Sequence, residues 1–179
     1  MKKWILLFLL LPNLAWGGGM MLGIVGGGTP AAGGGPDAYY QNGTSTTEGE
    51  DYAGVYHFAP LITIGAAGNV TKLEVWTRAA SGTIRMGLYN ATTRVRLDAG
   101  TNEASMANGN WTSVTLASPV AVILNQTVFV GWQASATASF YYTGENGKYE
   151  SGTYTDFPVA TLNEYASDGA GWRVRVYVD

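Results

Sequence analysis

Apolar and polar side chains alternate with a period of two through most of the chain after residue 52. In GTIRMGLY (residues 82–89), Ile84, Met86 and Leu88 share one side, and Thr83, Arg85 and Tyr89 the other. In WRVRVYVD (172–179), Trp172, Val174, Val176 and Val178 alternate with Arg173, Arg175, Tyr177 and Asp179. VTKLEVWTR (70–78) sets Leu73 and Val75 against Lys72, Glu74, Trp76 and Arg78. Successive side chains of a strand point to opposite faces, so such alternation predicts half-buried strands. TVFVGWQ (127–133) is apolar on both sides, with Val128, Val130 and Trp132 opposite Phe129, as a central strand would be. Further strands are expected at 55–58, 61–64, 94–97, 111–116, 120–124 and 139–143. Turn chemistry separates them at Gly68-Asn69, Ala80-Ser81-Gly82, Asn108-Gly109-Asn110 and Glu145-Asn146-Gly147. The last reads as a hairpin turn, because Asn-Gly supplies the positive φ angles a tight turn needs. No window carries a helical stripe. Nine or ten short strands at near-regular spacing predict an all-β fold, a two-sheet antiparallel β-sandwich of jelly-roll type.

The first 36 residues do not follow this pattern. Lys2 and Lys3, an apolar run from Trp4 to Leu11, and Ala15-Trp16-Gly17 make a secretory leader over residues 1–17. The apolar run is shorter than the roughly 20 residues a membrane-spanning helix requires. The expectation is therefore export, to the periplasm, the cell surface or beyond, without stable membrane insertion after cleavage; a retained anchor is the rival. Residues 18–36 hold nine glycines with Pro30 and Pro36 and read as a flexible tether. Within it lies one apolar hexapeptide, MMLGIV, which begins at Met20 and ends at Val25. Three readings of it stay open: it folds back onto its own sandwich, it is donated as a strand to a neighbouring copy, or it extends the leader's cleavage region. The sandwich domain then occupies residues 37–179, opening with a polar stretch, DAYYQNGTSTTEGED (37–51).

Composition narrows the function classes. The chain has no cysteine, so disulfides, lipid attachment through cysteine, thiolate metal sites and cysteine nucleophiles are all excluded. Loss of the leader would remove Lys2 and Lys3, leaving eight basic against thirteen acidic residues and a formal charge of −5. A mildly acidic chain without basic runs argues against nucleic acid as a partner. Charged residues are 13% of the chain, about half the globular average.

GNVTKLEVWTRAASGTIRMGLYN, then GNWTSVTLASPVAVILNQTVFVGWQAS, then GWRVRVYVD form a succession that resembles bacterial secreted jelly-roll modules of lectin-like or carbohydrate-binding-like type. The resemblance covers about residues 60–179. It implies the sandwich fold and a place among the non-catalytic parts of exported enzymes, adhesins and tail fibres. Its positions are mostly core and turn, so it says little about the ligand.

His57 is the only histidine, and a partly exposed strand residue is its simplest reading; a metal ligand or general base is the alternative. No Ser-His-Asp order and no G-x-S-x-G motif can be picked out. The carboxylates lie mainly beside Gly or Asn in expected loops. Glu48-Gly49-Glu50-Asp51 gathers hard oxygens of the kind Ca²⁺ takes, but without a loop signature. No cofactor is expected, and a structural calcium ion is the single one left open. Five N-x-Thr sequons, at Asn42, Asn69, Asn90, Asn110 and Asn125, have the pattern of glycan acceptors; the simpler reading is turn asparagines followed by strand threonines, which produce it without glycosylation.

The aromatic residues carry the strongest functional signal. Trp76, Tyr89 and Tyr177 fall opposite the apolar face of their strands, and each shares its side with arginine: Arg78, Arg85, and Arg173 with Arg175. If these strands are neighbours, they form an outward Trp/Tyr/Arg surface suited to sugar rings and hydroxyls. The competing expectation is that a second layer, such as residues 37–51, covers this face. Another aromatic cluster spans Phe140-Tyr141-Tyr142 and residues 149–154. The expected ligand-binding residues are thus Trp76, Arg85, Tyr89, Arg173, Arg175 and Tyr177. The function they imply is non-catalytic recognition or adhesion toward a glycan or other cell-surface polymer. A self-assembling fibre or surface-layer subunit, associating through Met20 to Val25, is the alternative, and a carboxylate-based hydrolase ranks third.

Overall fold

The computed structural model describes residues 38–42, 47–51, 55–58, 61–79, 81–143, 148–163, 166–167 and 171–179. The leader, the Gly-rich tether with its hexapeptide, and the Asn146-Gly147 turn lie outside the described residues. The chain forms β1 (Ala38–Gln41), β2 (Thr47–Asp51), β3 (Val55–Phe58), β4 (Ile62–Thr63), β5 (Gly68–Ala79), β6 (Thr83–Asn90) and β7 (Glu103–Ser105). Then follow β8 (Asn110–Val122), β9 (Thr127–Ala134), β10 (Ala138–Thr143), β11 (Lys148–Ser151), β12 (Ala166–Ser167), β13 (Gly171–Trp172) and β14 (Val174–Val178). A single 3-10 turn, Tyr154–Asp156, is the only helical element among the described residues. No described helix is long and apolar enough to cross a membrane.

Two antiparallel seven-stranded sheets build a β-sandwich. The first joins β1 to β14, β14 to β5, and β5 to both β8 and β10, with β2 and β13 on β10. The second runs β12-β11-β3-β9-β6-β7, with β4 also on β9. The expected alternation decides what lies between them. Leu73, Val75, Ile84, Met86, Leu88, Val128, Val130, Trp132, Val174 and Val176 are fully buried, and Trp172 and Val178 nearly so. An aromatic wedge ties the sheets together. Trp132 of β9 lies 4.1 Å from Phe140 and 5.4 Å from Trp172, the latter edge-on at 83°. Such pairs contribute about 0.5–1.5 kcal/mol each beyond their area burial.

Several local expectations change. The two strands expected at 111–116 and 120–124 are one long strand, β8, with a register irregularity opposite Val70 and Lys72. Residues 94–97 form isolated bridges, Tyr89 to Arg96 and Val95 to Thr161, instead of a strand. Asp98 explains the diversion. Its buried carboxylate accepts from Leu88 N at 2.6 Å, from Arg96 Nη2 at 2.8 Å and from Asn102 Nδ2. That polar knot pulls the chain off the ladder. The turn expected at Glu145-Asn146-Gly147 lies outside the described residues; of the strands on either side of it, β10 pairs β2, β5 and β13 in the first sheet and β11 pairs β3 and β12 in the second. Within the expected covering segment, residues 38–41 and 47–51 do not form a second layer, since β1 and β2 are strands of the first sheet.

The last strand breaks at Arg173, between β13 and β14. Arg173 O accepts from Trp76 N at 3.1 Å. Buried Asn42 supplies the missing partners on the other side: its Oδ1 accepts from Val174 N at 2.9 Å and its Nδ2 donates to Trp172 O. An amide engaged in this way has no room for a glycan, which removes one sequon from consideration. Asn90 is likewise occupied in its turn, accepting from Thr92 N and Thr93 N at 2.9 Å each.

Candidate functional site

The outer face of the first sheet carries the chemistry. Register places its outward side chains in rungs across four strands. One rung runs Gln41, Arg175, Glu74, Ser113 from β1 through β14 and β5 to β8. The next runs Tyr39, Tyr177, Lys72, Thr115. At the third, Trp76 faces Trp111, with Arg173 alongside. Because β5 and β14 are direct neighbours, four of the six expected ligand-binding residues, Trp76, Arg173, Arg175 and Tyr177, come together here. All four are partly exposed.

Contacts between rungs make the face a lattice. Arg173 lies over Trp76 and Trp111, with its guanidinium carbon 5.1 and 5.0 Å from the ring centroids. Arg175 lies over Trp111 at 3.7 Å and over Tyr39 at 4.2 Å, and its Nε donates to Gln41 Oε1 at 3.1 Å. Lys72 Nζ sits 3.5 Å from the Tyr177 ring centroid. Trp76 and Trp111 meet edge-on at 5.2 Å, and Tyr39 and Tyr177 are tilted at 5.5 Å. Cation–π contacts are worth about 0.5–1 kcal/mol at exposed sites. Their larger consequence here is to hold two guanidinium planes in fixed positions.

Glu74 is the hub. Its side chain is 7% exposed, and it accepts from Ser113 Oγ at 2.6 Å and from Tyr177 OH at 2.9 Å. Lys72 Nζ and Arg175 Nη1 lie 3.7 and 3.6 Å from its oxygens. Burial pushes the Tyr177 hydroxyl above the usual tyrosine range, and the hydrogen bond to Glu74 and its negative charge push in the same direction.

Arg85 and Tyr89 are elsewhere, which corrects the expected single surface. Both belong to β6, which pairs β7 and β9 in the second sheet. Tyr89 is fully buried. Residues 152–162 fold over the outer face of that sheet, where Phe157 and Leu162 pack with Tyr89. Facing glycines make the space: Gly87 pairs Gly131 across β6 and β9. A methyl built on either would come within 2.9 Å of Tyr89 Cε2. Arg85 is the latch of this cover. Its Nε donates to Glu103 Oε2 at 2.7 Å, and its Nη1 to the carbonyls of Tyr154 and Thr155 at 3.0 Å. The Tyr154 hydroxyl and Thr83 Oγ1 are 2.7 Å apart. A covering layer thus exists, but on the other sheet and from another segment than expected.

Trp111, Tyr39, Gln41 and Glu74 were not singled out from the sequence. Trp111 could have been: it alternates with Thr112, Val114 and Leu116 as an outward residue. Tyr39 offered no such signal, because it lies in a polar stretch without alternation. His57 registers with Trp132 on β9 and with Tyr149 on β11. Among the described residues no group of three or more His, Asp or Glu could hold a metal ion. In comparisons with known proteins, no family model matches this chain and no curated protein matches it.

Proposed function

We propose that this chain is an exported, non-catalytic recognition module of the carbohydrate-binding kind, and that it binds its ligand on the outer face of the first sheet. One observation carries the reading. The two outer faces are treated differently: residues 152–162 seal the second sheet's over a fully buried Tyr89, whereas Trp76, Trp111, Arg173, Arg175, Tyr39 and Tyr177 on the first sheet's all stay partly exposed. Aromatic rings and guanidinium groups on a surface are the side chains that meet sugar C–H faces and hydroxyls. Exposed Ser113 and Thr115 add hydroxyls on the same side. The leader expected at residues 1–17 and the jelly-roll resemblance point to the same class.

A glycan array with immobilised polysaccharides tests this reading. Trp111→Ala and Tyr177→Ala should each weaken binding by about 2- to 12-fold, since a lost ring contact costs about 0.5–1.5 kcal/mol. Tyr89→Phe, on the covered sheet, should leave binding unchanged. Absence of any bound glycan, or equal binding by the two alanine variants and the wild type, would refute it.

A self-assembling subunit is the second reading, favoured by β8. The Trp76 N–H points toward β14, so the alternate residues Leu73 and Val75 bond β8 at Val114 and Thr112. Ser113 and Thr115 therefore turn their main-chain groups away from the sheet, on a thirteen-residue edge strand with no charged side chain. Such edges invite pairing. Exposed Ile123 and Leu124 follow it. Size-exclusion chromatography of the chain with and without residues 18–28 discriminates: a monomer in both cases excludes strand donation by the hexapeptide.

A further inference from the structure

Two turns meet at one end of the sandwich, and neither carries a charge. The turn after β8 presents Ile123 and Leu124, which are 70% and 57% exposed and are the two most exposed large apolar side chains among the described residues. The turn before β5 adjoins it. Asn125 N donates to Ile64 O at 2.8 Å and Ile64 N to Gln126 O at 2.9 Å, which brings exposed Ala66 and Ala67 to the same end. Residues 61–71 and 111–127 contain no charged side chain. Exposed apolar residues scattered singly need no explanation; two neighbours on an uncharged end do. The strand edge there is open as well. Asn69 exchanges main-chain bonds with Asp179 beyond the end of β14, so Gly68 and Val70 bond β8 at Val122 and Val120. The N–H and C=O of exposed Ala121, between those two, therefore point off the edge.

We infer that the apolar hexapeptide of residues 20–25 folds back onto this end of its own sandwich and covers Ile123 and Leu124. The place where the tether joins the fold selects this occupant. β1 starts at Ala38, which pairs Val178; Val178 pairs Val70, and Val70 pairs Val120. The tether thus enters the sandwich at the end that bears the two turns, three strand spacings, or about 14 Å, from Val120. Ala38 is thirteen residues on from Val25, and a Gly-rich chain of that length spans about 20 Å on average and at most about 45 Å. The far end of β8 is thirteen residues of strand away, about 40 Å, close to the limit of that reach. The two surfaces also match chemically. Residues 17–36 carry no charge, so nothing holds them off the uncharged turns, and burial of apolar surface supplies the attraction. An extended segment can in addition take the main-chain groups of Ala121. The inference goes beyond the carbohydrate reading, and it gives to one copy the contact that the self-assembly reading gives to a neighbour.

Cysteine cross-linking tests it, because the chain has no cysteine of its own. The exported chain carrying Met21→Cys and Leu124→Cys is oxidised at low concentration, and the disulfide is read by non-reducing electrophoresis. A second variant adds Leu22→Ser, Ile24→Ser and Val25→Ser, which keeps the reach of the tether and removes the apolar contact. The expected result is a cross-link within the monomer that forms at least about tenfold faster in the first variant than in the second, because a docked segment has the higher effective concentration. Its rate should hold between about 50 and about 500 mM salt, since no charge is involved. Thermal melts confirm folding, and Ala67→Cys replaces Leu124→Cys if that variant does not fold. Equal rates in the two variants would overturn the inference and leave the carbohydrate reading standing. A cross-link that joins two chains would overturn it in favour of strand donation to a neighbour. An exported chain whose mass lacks residues 20–25 would overturn both uses of the hexapeptide.

Discussion

Glu74→Gln is the sharpest probe of how the lattice is held, because it removes one charge and keeps the shape. The carboxylate receives two hydrogen bonds, from Ser113 at 2.6 Å and Tyr177 at 2.9 Å. Bonds to a charged acceptor contribute about 1.5–3 kcal/mol each, against about 0.5–1.5 for neutral ones. The substitution therefore forfeits about 1 kcal/mol per bond, or about 2 in all. Lys72 and Arg175 are 32% and 17% exposed at their side chains, and such partly solvated pairs beyond 3.5 Å add at most about 0.5 kcal/mol each. Relief of the carboxylate's desolvation offsets part of this, so the net loss is about 2 kcal/mol. For a chain of this size that lowers Tm by about 4–8 °C. Circular dichroism melts at pH 7 provide the measurement. A Tm within about 1 °C of wild type would mean that dehydration cancels the attraction, and the hub role of Glu74 would have to be abandoned.

Other outcomes follow from the same contacts. Gly131→Ala places a methyl 2.9 Å from Tyr89 Cε2 and 3.2 Å from Phe157 Cζ; the overpacking should cost about 1–3 kcal/mol and make residues 152–162 more sensitive to proteolysis, and wild-type resistance would count against the covered-face account. Asp98→Ala strands the Leu88 N–H and the Arg96 guanidinium that this carboxylate serves and should lower stability by about 3–5 kcal/mol in urea titration; a loss below about 1 kcal/mol would show the knot to be dispensable. Burial raises the Tyr177 and Tyr154 hydroxyls above their ordinary range, so their contribution is intact below about pH 10 and is lost as pH rises through their folded-state values. Arg85 holds the Glu103 carboxyl below its ordinary range, so its contribution is present above about pH 4.3 and is lost as pH falls. Urea midpoints from pH 3 to 11 check both limbs, and a Glu103→Gln variant with an unchanged acid limb would remove that group from the account.

Alternation alone told which residues of each long strand face inward. Ile84, Met86 and Leu88, Leu73 and Val75, and Val174, Val176 and Val178 are buried where their period places them, because a strand's side-chain direction is fixed by local geometry. Edge strands escaped that logic. Residues 38–41 and 47–51 pair in the first sheet although their sequence is polar, since a strand with one neighbour needs little apolar surface and β1 contributes only Tyr40 to the core.

What the sequence by itself determined is the all-β character, the identity of the inner faces, and the presence of Trp76, Arg173, Arg175 and Tyr177 on outer ones. Which outer faces coincide was decided by tertiary structure. β5 and β14 became neighbours and assembled the lattice, whereas β6 joined the other sheet, where Arg85 became a latch and Tyr89 a core residue beneath Phe157. The physical reason is that strand pairing joins segments about a hundred residues apart through identical main-chain hydrogen bonds. Those bonds carry no local signature, and the choice among partners is made by the packing of the whole sandwich.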